Sequence, residues 1–342
     1  MRLEDLDYEL PVELIAQHPA QQRDASRLMV IERSSGAIHD LLFSDLPGWL
    51  KPGDVLAINE TRVRPARLRV RRPSGGAVEL LFVRPAAQGA WLTLARPAKK
   101  APAGGTLETP DGALALEVIE VREGGERLMR VTRGDLAAVL ASQGEIPLPP
   151  YIHRAPTAVD AERYQTVYAR AEGAVASPTA GLHFTLEMLA ALEAAGIRAT
   201  RLLLHVGPGT FRPVTESDPS RHVMDEEWFE VTGAAAAKLR AARGRGARIV
   251  AVGTTSVRAL ESACDANGGA LQAASGWTRK FIVPPYRFQA VDALLTNFHL
   301  PRTTLLLLVA AFAGQDLLRR AYAHAVAERY RFYSYGDAML VV

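Results

Sequence analysis

Cysteine is almost missing from this sequence. The single Cys264 excludes a disulfide framework and a cysteine-built zinc site, and it fits a reducing cytoplasm. In "SVRALESAC", Val257, Leu260 and Cys264 fall at i, i+3 and i+7, which places the thiol in a helix-packed core. Lysine is scarce as well, occurring only at Lys51, Lys99, Lys100, Lys238 and Lys280. Nearly all of the 40 basic side chains are therefore arginines, which suit bidentate phosphate contacts and stacking. A net charge of +3 is too small to identify an anionic partner by itself, and an alanine- and arginine-rich coding bias would give the same composition. Long apolar runs are absent. The longest, "LLLLVAAFA" from Leu305, is about half of what a bilayer span needs. The acidic start "MRLEDLDYEL" lacks the basic-then-apolar form of a secretory signal. A soluble, cytoplasmic chain with no membrane partner is expected. No Gly-Lys dipeptide and no Gly-x-Ser-x-Gly elbow occurs, which excludes a Walker phosphate loop and argues against an α/β-hydrolase. "RHVMDEEWFE" sets His222 near Asp225, Glu226 and Glu227 without a second histidine at ligand spacing. No metal is expected there, and the stretch reads as a solvated acidic turn.

What is present is enough for a large core. The chain has 342 residues, 48% hydrophobic and 23% charged, values of a folded protein with about two domains. "SRLMVIERSSGAIHDLLF" reads as two strands around a turn, and "KPGDVLAIN" as a turn into another strand. From about Pro65 the texture changes to short strands, "AVELLFV", "AWLTLA", "ALALEVIEV" and "RLMRVT", separated by glycine and proline breaks. That is how a small antiparallel barrel or sandwich reads. After residue 185 helix and strand alternate, as in the helix from Leu186 to Ala195, the strand "IRATRLLLHV", the helix "GAAAAKLRAARG" and the strand "RIVAVG". Such alternation implies an α/β layer with a largely parallel sheet. The expected fold class is therefore mixed α/β. Residues 1–64 and 146–342 would build the main domain, and 65–145 an inserted barrel-like domain; adjacent independent domains would give the same pattern.

In an open α/β sheet, ligands gather at the carboxyl ends of strands. Three polar loops follow strand-like runs here. "HVGPGTFRP" offers His205, Gly207, Gly209, Thr210 and Phe211, but it lacks the third glycine of a dinucleotide fingerprint, and a tight turn explains it as well. "VAVGTTSVRALES" runs from Gly253 into Thr254, Thr255 and Ser256 at a helix start, where free amides and the dipole favour an anionic group. A well-capped helix is the plain alternative, with Arg258 and Glu261 pairing on one face. "LLTNFHLPRTT" places Asn297 and His299 around Phe298, either a grip on a flat heterocycle or an ordinary half-buried histidine.

A fourth stretch, "SPTAGLHFT", carries more chemistry than its helix start requires. Thr185 is a plausible cap. That leaves Thr179, Gly181, His183 and Phe184 unexplained. In "TRVRPARLRVRR", period-2 alternation puts Arg67, Arg69 and Arg71 on one strand face, behind Arg62 and Arg64. The row could track phosphates or be a solvated strand face.

Taken together these stretches resemble one family, the S-adenosylmethionine:tRNA ribosyltransferase-isomerases of queuosine synthesis. The likeness runs nearly end to end, through "DYELPVELIAQHPAQQRDASRLMV", "VLAINETRVRPARL", "GEIPLPPYIHR", "SPTAGLHFT", "LHVGPGTFRPV", "VAVGTTSVRALES", "VDALLTNFHLPRTTLLLLVAAFAG" and "YRFYSYGDAML". Departures fall at Asp225, where the family often has a second histidine, at Glu60 and at Ser177. The resemblance implies that S-adenosylmethionine, a co-substrate rather than a prosthetic group, gives up its ribosyl unit. The acceptor would be 7-aminomethyl-7-deazaguanine at the wobble position of a tRNA with a GUN anticodon. The product would be epoxyqueuosine-tRNA, with adenine and methionine released. Under that reading His183, His205 and His299 are the proton-transfer candidates. Thr254, Thr255, Ser256 and Asn297 would hold ribose, carboxylate or adenine. Phe184, Phe211 and Tyr335 would stack, and Asp337 would hold the methionine ammonium or end a turn. Thr179, Gly207, Gly209, Thr210, Gly253 and Arg258 complete the expected substrate site. Arg62, Arg64, Arg67, Arg69 and Arg71 would contact tRNA, and the enzyme would act as a monomer. A methyltransferase-type tRNA enzyme and a non-catalytic tRNA-binding relative are the alternatives.

Overall fold

A computed structural model describes every residue except 1–4, 6, 212, 213 and 215–217, and leaves out the side chains of 211 and 220. Strands β1 (Arg27–Ile31) and β2 (Ile38–Leu42) pair antiparallel, and β3 (Val55–Asn59) is buried along its whole length. After the short β4 (Thr61–Val63) come β5 (Arg67–Arg71), β6 (Ala77–Pro85), β7 (Trp91–Arg96), β8 (Thr106–Glu108), β9 (Ala115–Val121) and β10 (Glu126–Arg133). These six close into a barrel in the order β10-β7-β6-β5-β8-β9. Alternation explains the closure: Leu68 and Val70 of β5 point into the barrel core with Val78, Leu80 and Phe82, while the arginines between them face out.

The rest alternates helix and strand. Helix α1 (Leu136–Gln143) is capped by Asp135, whose carboxylate accepts from the Ala137 and Ala138 amides. Next come α2 (Ala158–Arg163) and β11 (Ala171–Ala174), which pairs parallel with β4. Thr185 caps α3 (Leu186–Ala194) by accepting from Met188 N at 3.0 Å. The chain then runs through β12 (Arg198–Leu204), β13 (Glu227–Val231), α4 (Gly233–Gly244), β14 (Ile249–Val252), α5 (Thr254–Ala266), β15 (Ala274–Thr278), β16 (Ala293–Asn297), α6 (Thr304–Ala313), α7 (Gln315–Ala327) and β17 (Ala338–Val341). Among the described residues no helix is long and apolar enough to cross a membrane.

Nine strands form one sheet in the order β15-β13-β12-β3-β14-β16-β17-β1-β2. The expected parallel arrangement holds across its centre, β12-β3-β14-β16. Towards the edges, β13, β15 and β2 add antiparallel, and β17 lies antiparallel to β16 but parallel to β1. The sheet is therefore mixed. β14 and β16 are buried along their whole length, β14 as an unbroken apolar run and β16 ending in Thr296 and Asn297.

Helix α5 is buried from Thr254 to Cys264, so its polar side chains must find partners inside. Arg258 does not pair with Glu261, as its spacing suggested. It forms an ion pair with Glu227 of β13 and donates from Nε to Lys280 O at 2.8 Å. Glu261 is already occupied, accepting from the Tyr286 hydroxyl at 2.9 Å and from the Gln289 and Ala290 amides. Glu227 is thus buried in an ion pair, 4% exposed, and not part of a solvated turn.

Candidate functional site

The carboxyl ends of the parallel strands open on one pocket. Four of the polar loops supply its walls: Ser177, Pro178 and Thr179 from the stretch before α3, Val206 and Thr210 after β12, Gly253, Thr254 and Thr255 after β14, and Thr296 to His299 at the end of β16. Tyr151, Tyr333 and Ser334 close it. Gly253 makes the close approach possible. Its φ of +88° is one that an L side chain rarely adopts, and it turns the chain from β14 directly into α5. No side chain caps that helix start, so its first-turn amides and positive dipole end face the pocket.

Three buried oxygens on these walls have no hydrogen-bond partner among the described residues: Ser177 Oγ, Thr255 Oγ1 and Asn297 Oδ1. Their residues are 5%, 6% and 2% exposed. A buried polar atom left unpaired costs about 1–3 kcal/mol, and buried groups are normally satisfied. All three residues line the one pocket, each leaving an oxygen that a polar ligand can partner. The orientation of Asn297 follows from its surroundings. Its amide nitrogen meets three acceptors, His183 Nε2 at 3.1 Å, Tyr333 O at 3.2 Å and Asp337 O at 3.4 Å, which leaves its oxygen as the unpaired end.

The three histidines part company. His299 lines the pocket, with Nε2 3.0 Å from Thr296 Oγ1; burial lowers its pKa to about 3. His183 stands behind the wall. Asn297 donates to its Nε2, so Nδ1 carries the proton and donates to Ser26 Oγ at 2.7 Å, and the Ser26 hydroxyl donates to Arg23 O at 3.3 Å. Burial first, then the Arg331 and Arg23 charges, lower its pKa to about 3. Both of its nitrogens are used. His205 lines a neighbouring cleft instead, with Nδ1 2.8 Å from Thr61 Oγ1; burial and then Arg64 lower its pKa to about 4.

Other expected site residues also separate. Thr179, Thr210, Gly253, Thr254, Thr255 and Asn297 line the pocket. Ser256 does not: its hydroxyl donates back to Val252 O at 2.7 Å. Phe184 is wholly buried edge-on to Phe43 at 5.1 Å, so it packs the core and presents no face to a ligand. Tyr335 donates to Asp160 at 2.7 Å, also away from the pocket. Both oxygens of Asp337 accept backbone amides, from Arg27 at 2.9 Å and Arg331 at 2.7 Å, so it ends a turn. Burial nonetheless raises its pKa. Gly207 lines the cleft of His205, and Gly209 packs on Asp225, whose Oδ2 would lie 2.3 Å from any Cβ at that position. Arg258 serves the Glu227 pair, and the Phe211 side chain lies outside the described residues.

The arginine row of β5 faces outward, but each member meets a carboxylate: Arg67 with Glu79 at 3.7 Å, Arg69 with Glu145 at 3.5 Å and Arg71 with Glu108 at 3.8 Å. Arg62 is exposed. Arg64 lies over the Trp91 ring at 5.0 Å and donates to Val83 O at 3.0 Å.

Tyr151, Ser177, Thr296, Tyr333 and Ser334 escaped the sequence reading as pocket walls. The dense aromatic run "YRFYSYGD" was the available signal. Tyr333 holds a φ of +75°, and Tyr151 Oη lies 2.5 Å from Ser334 Oγ. A bulky residue at positive φ costs energy and often marks a functional position.

Known proteins resemble this chain over its whole length. The family model described as "Queuosine biosynthesis protein" matches residues 3–341. An S-adenosylmethionine:tRNA ribosyltransferase-isomerase of Symbiobacterium thermophilum is 53% identical over 344 residues, covering 100% of both chains. One from Moorella thermoacetica is 52% identical over 345 residues, again covering 100% of both. A crystal structure of an S-adenosylmethionine tRNA ribosyltransferase from Thermotoga maritima is 38% identical, covers 99% of this chain and 100% of its own, and superposes with a TM-score of 0.57.

Proposed function

Because the chain belongs to the queuosine biosynthesis protein family, we propose that its pocket takes S-adenosylmethionine together with a tRNA base. The protein is a transferase that moves the ribosyl unit of S-adenosylmethionine onto tRNA and isomerises it. The acceptor is 7-aminomethyl-7-deazaguanine at the wobble position of GUN anticodons, and the product is epoxyqueuosine-tRNA with adenine and methionine released. The observation that carries this reading is the set of three unpaired oxygens, Ser177 Oγ, Thr255 Oγ1 and Asn297 Oδ1, beside the open amino end of α5. A nucleoside with an amino acid tail offers hydroxyl and amino donors for the oxygens and a carboxylate for the helix end.

The chemistry needs a base for a C5′ proton made acidic by the adjacent sulfonium, a neutral amine to attack, and a path for adenine to leave. His299 is the histidine on the pocket wall; burial keeps it neutral and weakly basic in the free protein, so it acts as the base only when bound substrate raises its pKa toward neutrality. His183 positions Asn297. Thr254, Thr255, Thr179, Thr210 and Asn297 hold substrate, and exposed arginines of β5 meet tRNA phosphates. Residues 65–145 act as a barrel domain inserted between the two parts, 1–64 and 146–342, of the catalytic α/β domain. The enzyme works as a cytoplasmic monomer, and a single free thiol at Cys264 fits a reducing compartment.

The test is product analysis. The full chain, incubated with S-adenosylmethionine and a stem-loop RNA carrying the aminomethyl base, should release adenine and methionine and add the mass of the ribosyl-derived group. S-adenosylhomocysteine with a methyl-sized mass gain would overturn the reading.

A further inference from the structure

His205 sits in a cleft between the barrel and the edge of the large sheet, next to the pocket; Val206 lines both. Tryptophan is rare in this chain, with four in all, yet two of them, Trp228 and Trp277, line this cleft. Trp277 is 47% exposed and meets Trp228 edge-on at 5.6 Å. The Arg84 guanidinium lies over Trp277 at 4.6 Å and pairs with Glu226 at 3.3 Å. Trp91 carries Arg64 over its ring at 5.0 Å, and Arg64 lines the same cleft. At the base of the cleft, Gly173 leaves room for the His205 ring: a Cβ there would come within 2.4 Å of Cε1. One ring nitrogen is engaged by Thr61, and the other has no partner among the described residues.

With Arg84 over its ring, Trp277 still leaves 47% of its surface open on the cleft wall, an aromatic face that a partner can cover. The charges say what kind of partner fits. Arg84 and Arg279 share Glu226, Arg258 holds Glu227, and Arg64 donates to the Phe82 and Val83 carbonyls, so these cations are engaged within the protein rather than presented to a phosphate. The cleft offers instead a flat apolar face ringed by donors and acceptors, which complements the mixed edge of an unpaired base.

We propose that this cleft holds an unpaired base adjacent to the one that is modified, stacked on Trp277 with its polar edge toward His205 and the nearby carboxylates. The proposal rests on the reading of the chain as an RNA-modifying enzyme. It gives His205 a role in binding the acceptor strand, and it explains why this histidine is held apart from the pocket.

The test is steady-state kinetics with the full chain, S-adenosylmethionine and the stem-loop RNA, the RNA also being made abasic at either neighbour of the acceptor base. One abasic position should raise KM for RNA roughly tenfold or more. Trp277→Ala should do the same while leaving KM for S-adenosylmethionine and the melting temperature unchanged, and Trp277→Phe should restore most of the loss. Combining the abasic RNA with Trp277→Ala should cost no more than either change alone. An active chain whose KM for RNA ignores both abasic positions, or a Trp277→Ala effect shared equally by both substrates, would overturn the cleft alone. No product from the native chain with intact RNA would overturn the functional reading and the cleft with it.

Discussion

The amide nitrogen of Asn297 donates to Nε2 of His183 across 3.1 Å, and the amide oxygen is left buried and unpaired on the pocket wall. A histidine at the end of a second loop thus fixes which way a pocket-wall side chain points.

Thr255→Val tests another unpaired oxygen of that pocket. The hydroxyl has no partner in the free protein, so removing it should leave the melting temperature unchanged or slightly higher. KM for S-adenosylmethionine should rise about five- to tenfold, the worth of one hydrogen bond of about 1–1.5 kcal/mol. Calorimetry and kinetics on one preparation decide the matter, and a parallel fall in stability would place the hydroxyl in the scaffold.

Asp160 predicts the opposite pattern. Burial alone would raise its pKa, but hydrogen bonds from Arg154, Thr157 and Tyr335 outweigh it and hold the carboxyl well below the usual range. Arg154 grips it with two bonds of 2.7 Å. Asp160→Asn leaves the guanidinium short of a charge partner and should cost about 3–5 kcal/mol, read as a large drop in the denaturant midpoint. A loss below about 1 kcal/mol would show that Arg154 finds water instead.

Stability should fall on mild acidification. His183, His299 and His205 have folded pKa values of about 3, 3 and 4, below the unfolded value of about 6.5. The unfolded chain therefore takes up protons first. The stability these groups contribute is complete above pH ~6.5 and is lost as pH falls, at up to about 1.4 kcal/mol per unit per group. Calorimetry from pH 7 to 5 should show this decline, and His183→Gln should make it shallower. Equal slopes in both proteins would mean that His183 protonates without unfolding.

Exposed ion pairs are weak, so the outward arginines of β5 can exchange a carboxylate for a phosphate. Side chains of Arg69 and Arg71 are 71% and 50% exposed, whereas Arg67 is 23% exposed and tied to Leu148 O at 3.0 Å. Arg69→Glu with Arg71→Glu should flatten the salt dependence of tRNA binding by about 1–2 in slope, and Arg67→Gln should not. Filter binding between 50 and 200 mM salt is the measurement; an unchanged slope in the double variant would remove this strand from the interface.

Periodicity made much of this fold legible. The helix over Gly233–Gly244, the strand Ile249–Val252 and the alternating face of β5 all follow from spacing of apolar residues. The polar loops at strand ends were legible for the same reason, since their residue types exceed what turns require. Long-range pairing was not. Arg258 meets Glu227 because β13 lies along α5, a fact of sheet order that an i, i+3 rule cannot contain. Nor does a sequence say which of two neighbours faces a ligand: Phe184 turns into the core on Phe43, while Thr179, five residues earlier, lines the pocket.

The place of β17 carries a consequence for synthesis. It separates β16 from β1, so among the described residues the β1–β2 hairpin joins the rest of the sheet through β17 and the Val342 that follows it. A nascent chain emerging at about 5–20 residues per second would hold that hairpin undocked for roughly 15–60 s. The apolar side of residues 27–42 must stay shielded on the ribosome for that long before the sheet can close.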